Sequence, residues 1–216
     1  MIAHVTDIHI AEEEDAHPRG VPVRLQFRRV LKSVVEAKPE LLLLTGDLCA
    51  FDGNAKVYRW VRRELEAIGI DYFVLPGNHD DPELVYAAFG ERTGLRGRNR
   101  PGLHRRVSRS DEEILLFDTP EGVVDGADLA WLREELEEIG DREALLFMHY
   151  PPVPLPIAHM EQNYALQGRD SLEQLLREAK PRVSVFCGHY HNELAQVDPG
   201  LSVYLTPAGS GDRFLY

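Results

Sequence analysis

The sequence predicts an α/β protein in which two packed β-sheets carry helices on their outer faces. Two patterns in the 216-residue chain lead to this prediction. In the first half, short apolar runs of strand length alternate with longer segments whose apolar residues recur at helical spacing. In the second half, a hairpin-like pair of apolar runs is mixed with further strands and helices. Since no repeat, low-complexity tract or linker divides the chain, we expect residues 1–216 to form a single domain.

The first half is predicted to contain three strands and three helices. The strands are short apolar runs at residues 2–6, 41–44 and 72–75. The helices are predicted from apolar spacing and boundary residues at 23–38, between Asn54 and Gly69, and from Pro82 onward. Asn54 is suited to the N-cap, because its side chain can accept hydrogen bonds from the first free backbone N–H groups of a helix.

The second half is predicted to combine a hairpin with further strands and helices. Val107 and residues 114–117 flank a polar turn, which is typical of two antiparallel strands. The other elements are predicted as helices at 129–139 and 171–179, strands at 144–148 and 183–187, and a closing strand pair at 202–206 and 213–216. The proline-rich stretch at 151–156 is interpreted as a stiff loop.

Five of the predicted strands run directly into side chains that can bind a metal ion. These side chains are Asp7 and His9, Asp47, the group Asn78, His79 and Asp80, then His149, and finally His189 and His191. Ligand sites of open α/β sheets lie outside the carboxyl ends of the strands, so we expect these side chains to meet at one edge. Carboxylate, amide and imidazole groups without a thiolate form a mixed oxygen and nitrogen ligand set.

In order, these clusters read D-x-H, G-D, G-N-H-D, a lone His and G-H-x-H, and this pattern resembles the calcineurin-like metallophosphoesterases. The resemblance spans residues 7–191 and implies the metallophosphatase fold, a four-layer αββα sandwich of two mixed β-sheets flanked by helices. Three stretches look like the class III, bacterial cyclic-nucleotide phosphodiesterase branch: GNHDDPELVYAAF, MHYPPVPLPIAHMEQNYALQGRDSLEQLL, and FCGHYHNE followed by VYLTPAGS.

The resemblance also implies a role for each residue of the clusters. Asp7, His9, Asp47 and His191 would hold one metal ion, and Asp47, Asn78, His149 and His189 would hold the other. His79 would face the substrate as general acid. From its position next to His79, we expect Asp80 to orient the imidazole, as carboxylates commonly do for histidine. The two ions would be divalent or mixed-valence transition metals, and the ligand types do not distinguish Mn, Fe, Zn, Co and Ni.

These roles imply a dinuclear-metal-dependent hydrolase that cleaves phosphodiesters, small or cyclic-nucleotide diesters among them, by attack of a metal-bound hydroxide. A phosphomonoesterase or nucleotide-processing hydrolase of the same fold is the main alternative. A DNA nuclease is less favoured because the chain is acidic, and a non-catalytic scaffold is less favoured because every ligand position of the pattern is filled. The expected partner is therefore a small phosphoester substrate.

Composition narrows the range of partners and locations. The formal net charge of −12 argues against a general nucleic-acid binder, which would carry an extended basic face. No apolar run approaches the roughly 20 residues of a membrane span. Because the first motif begins at Asp7, we expect no signal peptide and a cytoplasmic protein, in which Cys49 and Cys187 are reduced thiols. The oligomeric state stays open, a homo-oligomer included.

Several polar residues outside the clusters are candidate substrate contacts. The segment from Arg92 to Arg109 holds seven arginines and no acidic residue. We favour its arginines pairing with acids elsewhere over their forming a wall that receives phosphate. His159 and Asn192 lie close to motif residues and are candidate substrate contacts, whereas His104 is expected in a solvated loop.

Overall fold

The chain, described here by a computed structural model over residues 1–93, 95–96, 103–109 and 112–211, forms the predicted four-layer αββα sandwich. The strands within these residues are β1 (Ile2–Val5), β2 (Leu41–Thr45), β3 (Tyr72–Leu75), β4 (Leu95–Arg96), β5 (Leu103–Arg109), β6 (Glu112–Leu116), β7 (Ala144–Phe147), β8 (Val183–Cys187), β9 (Leu194–Asp198) and β10 (Leu201–Leu205). The helices are α1 (Val23–Ala37), α2 (Ala55–Ala67), α3 (Pro82–Phe89), α4 (Gly126–Ile139), α5 (Ala158–Asn163) and α6 (Arg169–Glu178).

The two sheets differ in size and in strand direction. The first contains β1, β2 and β3 in that order, all parallel, and α1, α2 and α3 supply its outer cover. The second has the order β4-β5-β6-β7-β8-β10-β9, with β6, β7, β8 and β10 parallel to one another and an antiparallel partner at each side. Parallel strands joined by helical crossovers need cover on both faces, which explains why their runs are continuously apolar.

Strand β2 shows how the sequence produces the layers. Successive side chains of a strand point to opposite faces, so its four leucines divide between two cores. Leu41 and Leu43 pack between the sheets with residues such as Ile114, while Leu42 and Leu44 pack against the helices of the first sheet. A third core lies between the second sheet and helices α4 and α6. Three apolar interfaces thus separate four layers.

Helix boundaries follow the local signals in the sequence. The Asn54 side chain accepts hydrogen bonds from the backbone N–H groups of Lys56 and Val57, as expected of an N-cap. Helix α3 begins at Pro82, with Asp81 as its N-cap. Helix α1 spans one residue fewer than predicted, because Lys38 adopts a left-handed conformation at the C-cap.

Three expectations differ from the structure. Strand β10 was expected to pair with residues 213–216, but it pairs antiparallel with β9, and residues 213–216 lie outside the described part of the chain. The loop after His149 contains helix α5, which was not predicted. His104 is buried rather than solvated: its ring stacks between Phe117 and Trp131, and its Nε2 lies 2.9 Å from Asp128 Oδ1.

None of the described helices has the length and apolar character needed to cross a membrane.

Candidate metal centre

The predicted ligands come together where the carboxyl ends of the two sheets meet. Asp7 and His9 follow β1, Asp47 follows β2 and Asn78 follows β3, so the first sheet contributes four of them. The second sheet contributes His149 after β7, and His189 and His191 after β8. The predicted position at one sheet edge is therefore the observed one.

Five of the seven predicted ligands have an unusual backbone conformation. Asp7, His9, Asp47, His189 and His191 have φ between 45° and 67°, in the left-handed region. That region costs an L-residue about 1–2 kcal/mol. Such strain persists where surrounding contacts hold it, and it clusters at functional sites. Backbone hydrogen bonds hold this conformation here: Asp7 N donates to Gly46 O at 3.0 Å, and His9 N donates to Asp47 O at 2.9 Å. The sequence motifs gave no indication of this conformation.

Two motif glycines let backbone approach the ligands closely. A Cβ added at Gly77 would lie 2.3 Å from Asp47 Oδ1 and 2.9 Å from His149 Nε2. A Cβ at Gly188 would lie 2.3 Å from Asp7 Oδ2. Even an alanine methyl group would therefore displace a carboxylate of the site. This steric conflict explains why glycine occupies these positions in G-N-H-D and G-H-x-H.

The first cluster consists of Asp7, His9, Asp47 and His191, all buried, with one potential ligand atom from each lying within 4.8 Å of the others. His9 Nε2 is 3.0 Å from His191 Nε2, and His191 Nε2 is 3.3 Å from Asp7 Oδ1. His9 Nε2 lies 3.7 Å from Asp47 Oδ2. These four side chains are the ones that the family resemblance implies for one metal ion.

The second cluster consists of Asp47, His149 and His189, with Asn78 beside it. His149 Nε2 lies 3.4 Å from Asp47 Oδ1 and 3.2 Å from Asn78 Oδ1. Asp47 is common to both clusters, and its two oxygens face opposite sides: Oδ2 is the oxygen near His9, and Oδ1 is the oxygen near His149. One carboxylate is therefore placed to bridge two ions.

Hydrogen bonds to carbonyl groups select the tautomers of two imidazoles in this cluster. His149 Nδ1 donates to Thr45 O at 3.1 Å, and His189 Nε2 donates to Tyr164 O at 3.0 Å. Because a carbonyl oxygen only accepts, the proton of each neutral ring is located on that nitrogen. His149 Nε2 and His189 Nδ1 are then left with lone pairs, as histidine ligands require.

The electrostatics of the cluster favour a cation. Burial disfavours charge on His149, but the nearby carboxylates of Asp47 and Asp7 outweigh burial and raise its pKa to about 9. Burial likewise disfavours the charged form of Asp7, but His149 and His191 lower its pKa to about 2. Burial and His149 lower the pKa of His189 to about 4. The two buried carboxylates thus attract positive charge strongly enough to hold a proton on His149, and a metal ion would supply that charge in its place, so this donor set fits metal ions.

His79 lies at the edge of the ligands and faces outward. Its side chain is 29% exposed, and its Nε2 lies 3.9 Å from Asp47 Oδ2. Its Nδ1 is 2.7 Å from Phe51 O, and its backbone N–H donates to Asp47 Oδ1 at 3.0 Å. The ring is thereby held beside the clusters with Nε2 available on the open side.

Asp80 does not orient His79 as the sequence prediction proposed; the carbonyl of Phe51 does. The Asp80 carboxylate instead points into the protein and accepts from four donors, which are Leu48 N, Cys49 N, Gly77 N and Tyr58 Oη, at 2.9–3.1 Å. Burial and the charge of Asp47 raise the pKa of Asp80 to about 6. Asp80 therefore joins the loop after β2 to the loop after β3.

An open cleft of about 360 Å³ lies over the clusters. Its lining residues are His9, Arg19, Asp47, Asn78, His79, His159, Met160, Tyr164, His189 and His191. A side cavity of about 100 Å³ shares His9, Arg19 and His79 with it and is otherwise mainly apolar. Sequence reasoning missed Arg19 and Tyr164, because neither belongs to a motif.

The two candidate substrate contacts have different positions. His159 lines the cleft. The side-chain amide of Asn192 donates to Tyr190 O at 2.8 Å, and Asn192 does not belong to the cleft lining.

Three arginines of the arginine-rich segment form ion pairs away from the cleft, in the way that the favoured interpretation predicted. Arg92 and Arg109 form ion pairs with Asp71, and Arg106 pairs with Glu113. Asp71 precedes β3 and lies at the opposite end of the sheet from the ligands. Arg98 and Arg100 lie outside the described residues.

Comparisons with known proteins agree with the geometry. Residues 1–193 match the sequence model of the calcineurin-like phosphoesterases. A probable cyclic nucleotide phosphodiesterase from Fibrobacter succinogenes is 27% identical over 207 residues, or 96% of this chain and 78% of that protein. A probable glycerophosphodiester phosphodiesterase, GpdQ, from Arcobacter nitrofigilis is 26% identical over 200 residues, or 88% of this chain and 71% of that protein. A dimetal phosphatase from Danio rerio shares the fold, with a TM-score of 0.74 at 15% identity over 96% of this chain and 87% of that chain.

Proposed function

Because the chain belongs to the calcineurin-like phosphoesterase family and is thus a metal-dependent phosphoesterase, we propose that it hydrolyses small phosphodiesters. The observation that carries the proposal is the position of Asp47. Its carboxylate is shared by two buried ligand clusters at the floor of an open cleft, with the outward-facing ring of His79 beside it. A dinuclear metal centre can activate water and stabilise the phosphoryl group, and a proton donor at its edge can protonate the leaving group, as phosphoester hydrolysis requires.

We assign Asp7, His9, Asp47 and His191 to one ion, and Asp47, Asn78, His149 and His189 to the other. The distances around Asp47 support this division. When bound, two such ions act as Lewis acids on the phosphoryl group and lower the pKa of water. Nitrogen and oxygen ligands suit several transition metals, so the identity of the two metals is to be determined by experiment.

The remaining residues of the cleft bind and orient the substrate in this proposal. Arg19 supplies positive charge for the anionic diester, and a guanidinium group can donate two parallel hydrogen bonds to phosphate oxygens. In its imidazolium form, His79 delivers the Nε2 proton to the departing alkoxide and keeps the Nδ1 proton hydrogen-bonded to the Phe51 carbonyl. The Phe51 carbonyl fixes the His79 ring through Nδ1, so that Nε2 stays directed toward the cleft.

The shape of the cleft favours a diester over a monoester. A diester carries an organic group on each side of its phosphate, whereas a monoester carries one. His9, Arg19 and His79 line both the main cleft and the side cavity, so two spaces that could each receive a substituent lie beside these residues. The names of the two relatives, a cyclic nucleotide phosphodiesterase and a glycerophosphodiester phosphodiesterase, also support diesters.

The test compares bis(p-nitrophenyl) phosphate with p-nitrophenyl phosphate, using enzyme loaded separately with Mn, Co, Zn or Ni. We expect kcat/KM to be higher for the diester with every metal that gives activity. Asp47→Asn should lose at least one of the two ions and nearly all turnover, because the bridging carboxylate is gone. A preference for the monoester would establish the phosphomonoesterase alternative. An Asp47→Asn variant that still binds two equivalents of metal would refute the bridging role.

A further inference from the structure

Two solvent-exposed aromatic rings stand on the wall of the cleft. Tyr164 is 51% exposed, and His159, five residues before it, is also exposed. Their ring centroids lie 5.8 Å apart, with an interplanar angle of 62°. Both line the same cleft as Asp47, Asn78 and His189. An aromatic surface therefore adjoins the proposed metal centre without being part of it.

The surrounding structure holds these rings in place. They belong to helix α5 and its C-cap, and Met160 anchors the helix by packing into the core. The Glu161 carboxylate accepts hydrogen bonds from Leu155 N at 2.9 Å and from Tyr190 Oη at 3.0 Å, and it also pairs with Arg169. This short helix is thus fixed at several points, so the rings are presented on an ordered support.

A direct hydrogen bond links the segment that carries these two rings to the proposed metal ligand His189. The backbone carbonyl of Tyr164 accepts from His189 Nε2 at 3.0 Å, and this bond also selects the ligating tautomer of His189. The Tyr164 side chain takes no part in that bond and meets the His189 ring only in an edge-to-face contact, with centroids 6.5 Å apart. Replacing the Tyr164 ring therefore keeps the hydrogen bond to His189, and Tyr164→Phe keeps the ring contact as well.

The rings offer π-faces and edges, which favour planar groups. Aromatic side chains bind planar heterocycles by stacking or edge-to-face contact, and they gain little from a flexible polar chain such as glycerol. We propose that Tyr164 and His159 form a subsite for a planar aromatic substituent of the diester, such as a nucleobase. This subsite rests on the proposed diesterase activity and defines which class of diester the cleft selects.

The experiment measures KM and kcat of wild type, Tyr164→Leu and Tyr164→Phe for cyclic AMP and for the aliphatic diester glycerophosphoethanolamine. Removing the ring should raise KM for cyclic AMP about tenfold or more, with kcat and metal content unchanged. Values for glycerophosphoethanolamine should stay the same. Tyr164→Phe should behave as wild type, because it keeps the ring. Tyr86→Leu is the matched control, since Tyr86 is 38% exposed on α3 and does not line the cleft.

Binding of AMP, measured by calorimetry on the same metal-loaded variants, reports the subsite independently of turnover. We expect Tyr164→Leu to bind AMP about tenfold or more weakly than wild type and Tyr164→Phe to bind it equally. Wild-type enzyme that hydrolyses neither diester would overturn the proposed function, while the AMP measurement would still decide on the subsite. Equal losses for both substrates, a loss in Tyr164→Phe as large as in Tyr164→Leu, or unchanged AMP binding would each overturn the subsite.

Discussion

His79 differs from the other motif histidines of the centre in its surroundings. The four imidazoles of the two clusters are buried among carboxylates and each other, whereas the His79 side chain is 29% exposed on the cleft. Its Nδ1 is occupied by the Phe51 carbonyl, which leaves Nε2 for proton exchange with a substrate. These contacts give it the position of a proton donor.

His79→Ala should therefore keep both metal ions and slow the reaction in a substrate-dependent way. For an alkyl diester such as glycerophosphoethanolamine, we expect kcat to fall by about 10²–10⁴-fold, the usual contribution of a positioned general acid. For bis(p-nitrophenyl) phosphate the loss should be much smaller, since nitrophenolate leaves without protonation. Metal analysis and kcat for both substrates check this. Loss of a metal ion, or equal losses for both leaving groups, would contradict the general-acid role.

At single residues, the motifs predicted which side chains meet but not how each one is oriented. Ordered motifs behind strands were sufficient to predict that the seven proposed ligand side chains meet, because strand ends define the sheet edge. The role of Asp80 was predicted from its position next to His79. Consecutive residues in a turn can point in different directions, and Asp80 turns inward to four hydrogen-bond donors. Such orientations depend on loops that are distant in sequence.

At the level of elements, Asp80 connects two of the loops that carry ligands. Its carboxylate accepts from Leu48 and Cys49 in the loop after β2 and from Gly77 in the loop after β3. Tyr58 on α2 supplies the fourth bond. Asp47 and Asn78 lie in these same two loops, so their separation depends on this connection.

Asp80→Ala should destabilise both the protein and the centre. It leaves buried donors unsatisfied at about 1–3 kcal/mol each, so we expect the free energy of unfolding to fall by about 3 kcal/mol or more. Metal affinity should fall as well, because Asp47 and Asn78 lose their relative position. Tyr58→Phe is the graded control and should cost about 2 kcal/mol, since it removes one of the four bonds to Asp80 and the bond that Asp81 N donates to Tyr58 Oη at 2.9 Å. Denaturant unfolding and metal titration test both effects, and wild-type values for Asp80→Ala would refute the connection.

Two elements that sequence reasoning missed, β9 and α5, share a physical cause. Strand β9 lies at the edge of the second sheet, and its residues alternate between half-buried and exposed, so it lacks the continuous apolar run of a central strand. Helix α5 is only six residues long and follows a proline-rich stretch. Its packing against the core, through Met160 and Glu161, supplies the stability that a short helix lacks by itself. Whether such short or edge elements form therefore depends on their tertiary contacts.

At the level of the whole molecule, the centre joins the two sheets. Asp7, His9, Asp47 and Asn78 extend from the first sheet, and His149, His189 and His191 extend from the second. The inter-sheet core around Leu41, Leu43 and Ile114 lies behind them. Metal ions bound by ligands from both sides would hold the two sheets together at the edge where β-structure ends.

Removal of metal should therefore lower the stability of the entire fold. A ligand that binds the folded state alone stabilises it by about 2.7 kcal/mol at a concentration 100 times its Kd. For a chain of this length each kcal/mol shifts Tm by about 2–4 °C, so EDTA should lower Tm by roughly 5–10 °C, and added metal should restore it. Asp47→Asn, which cannot bridge the ions, should show a much smaller response to EDTA under the same conditions. If wild type and Asp47→Asn respond to EDTA equally, the metal that stabilises the fold is bound somewhere other than at Asp47.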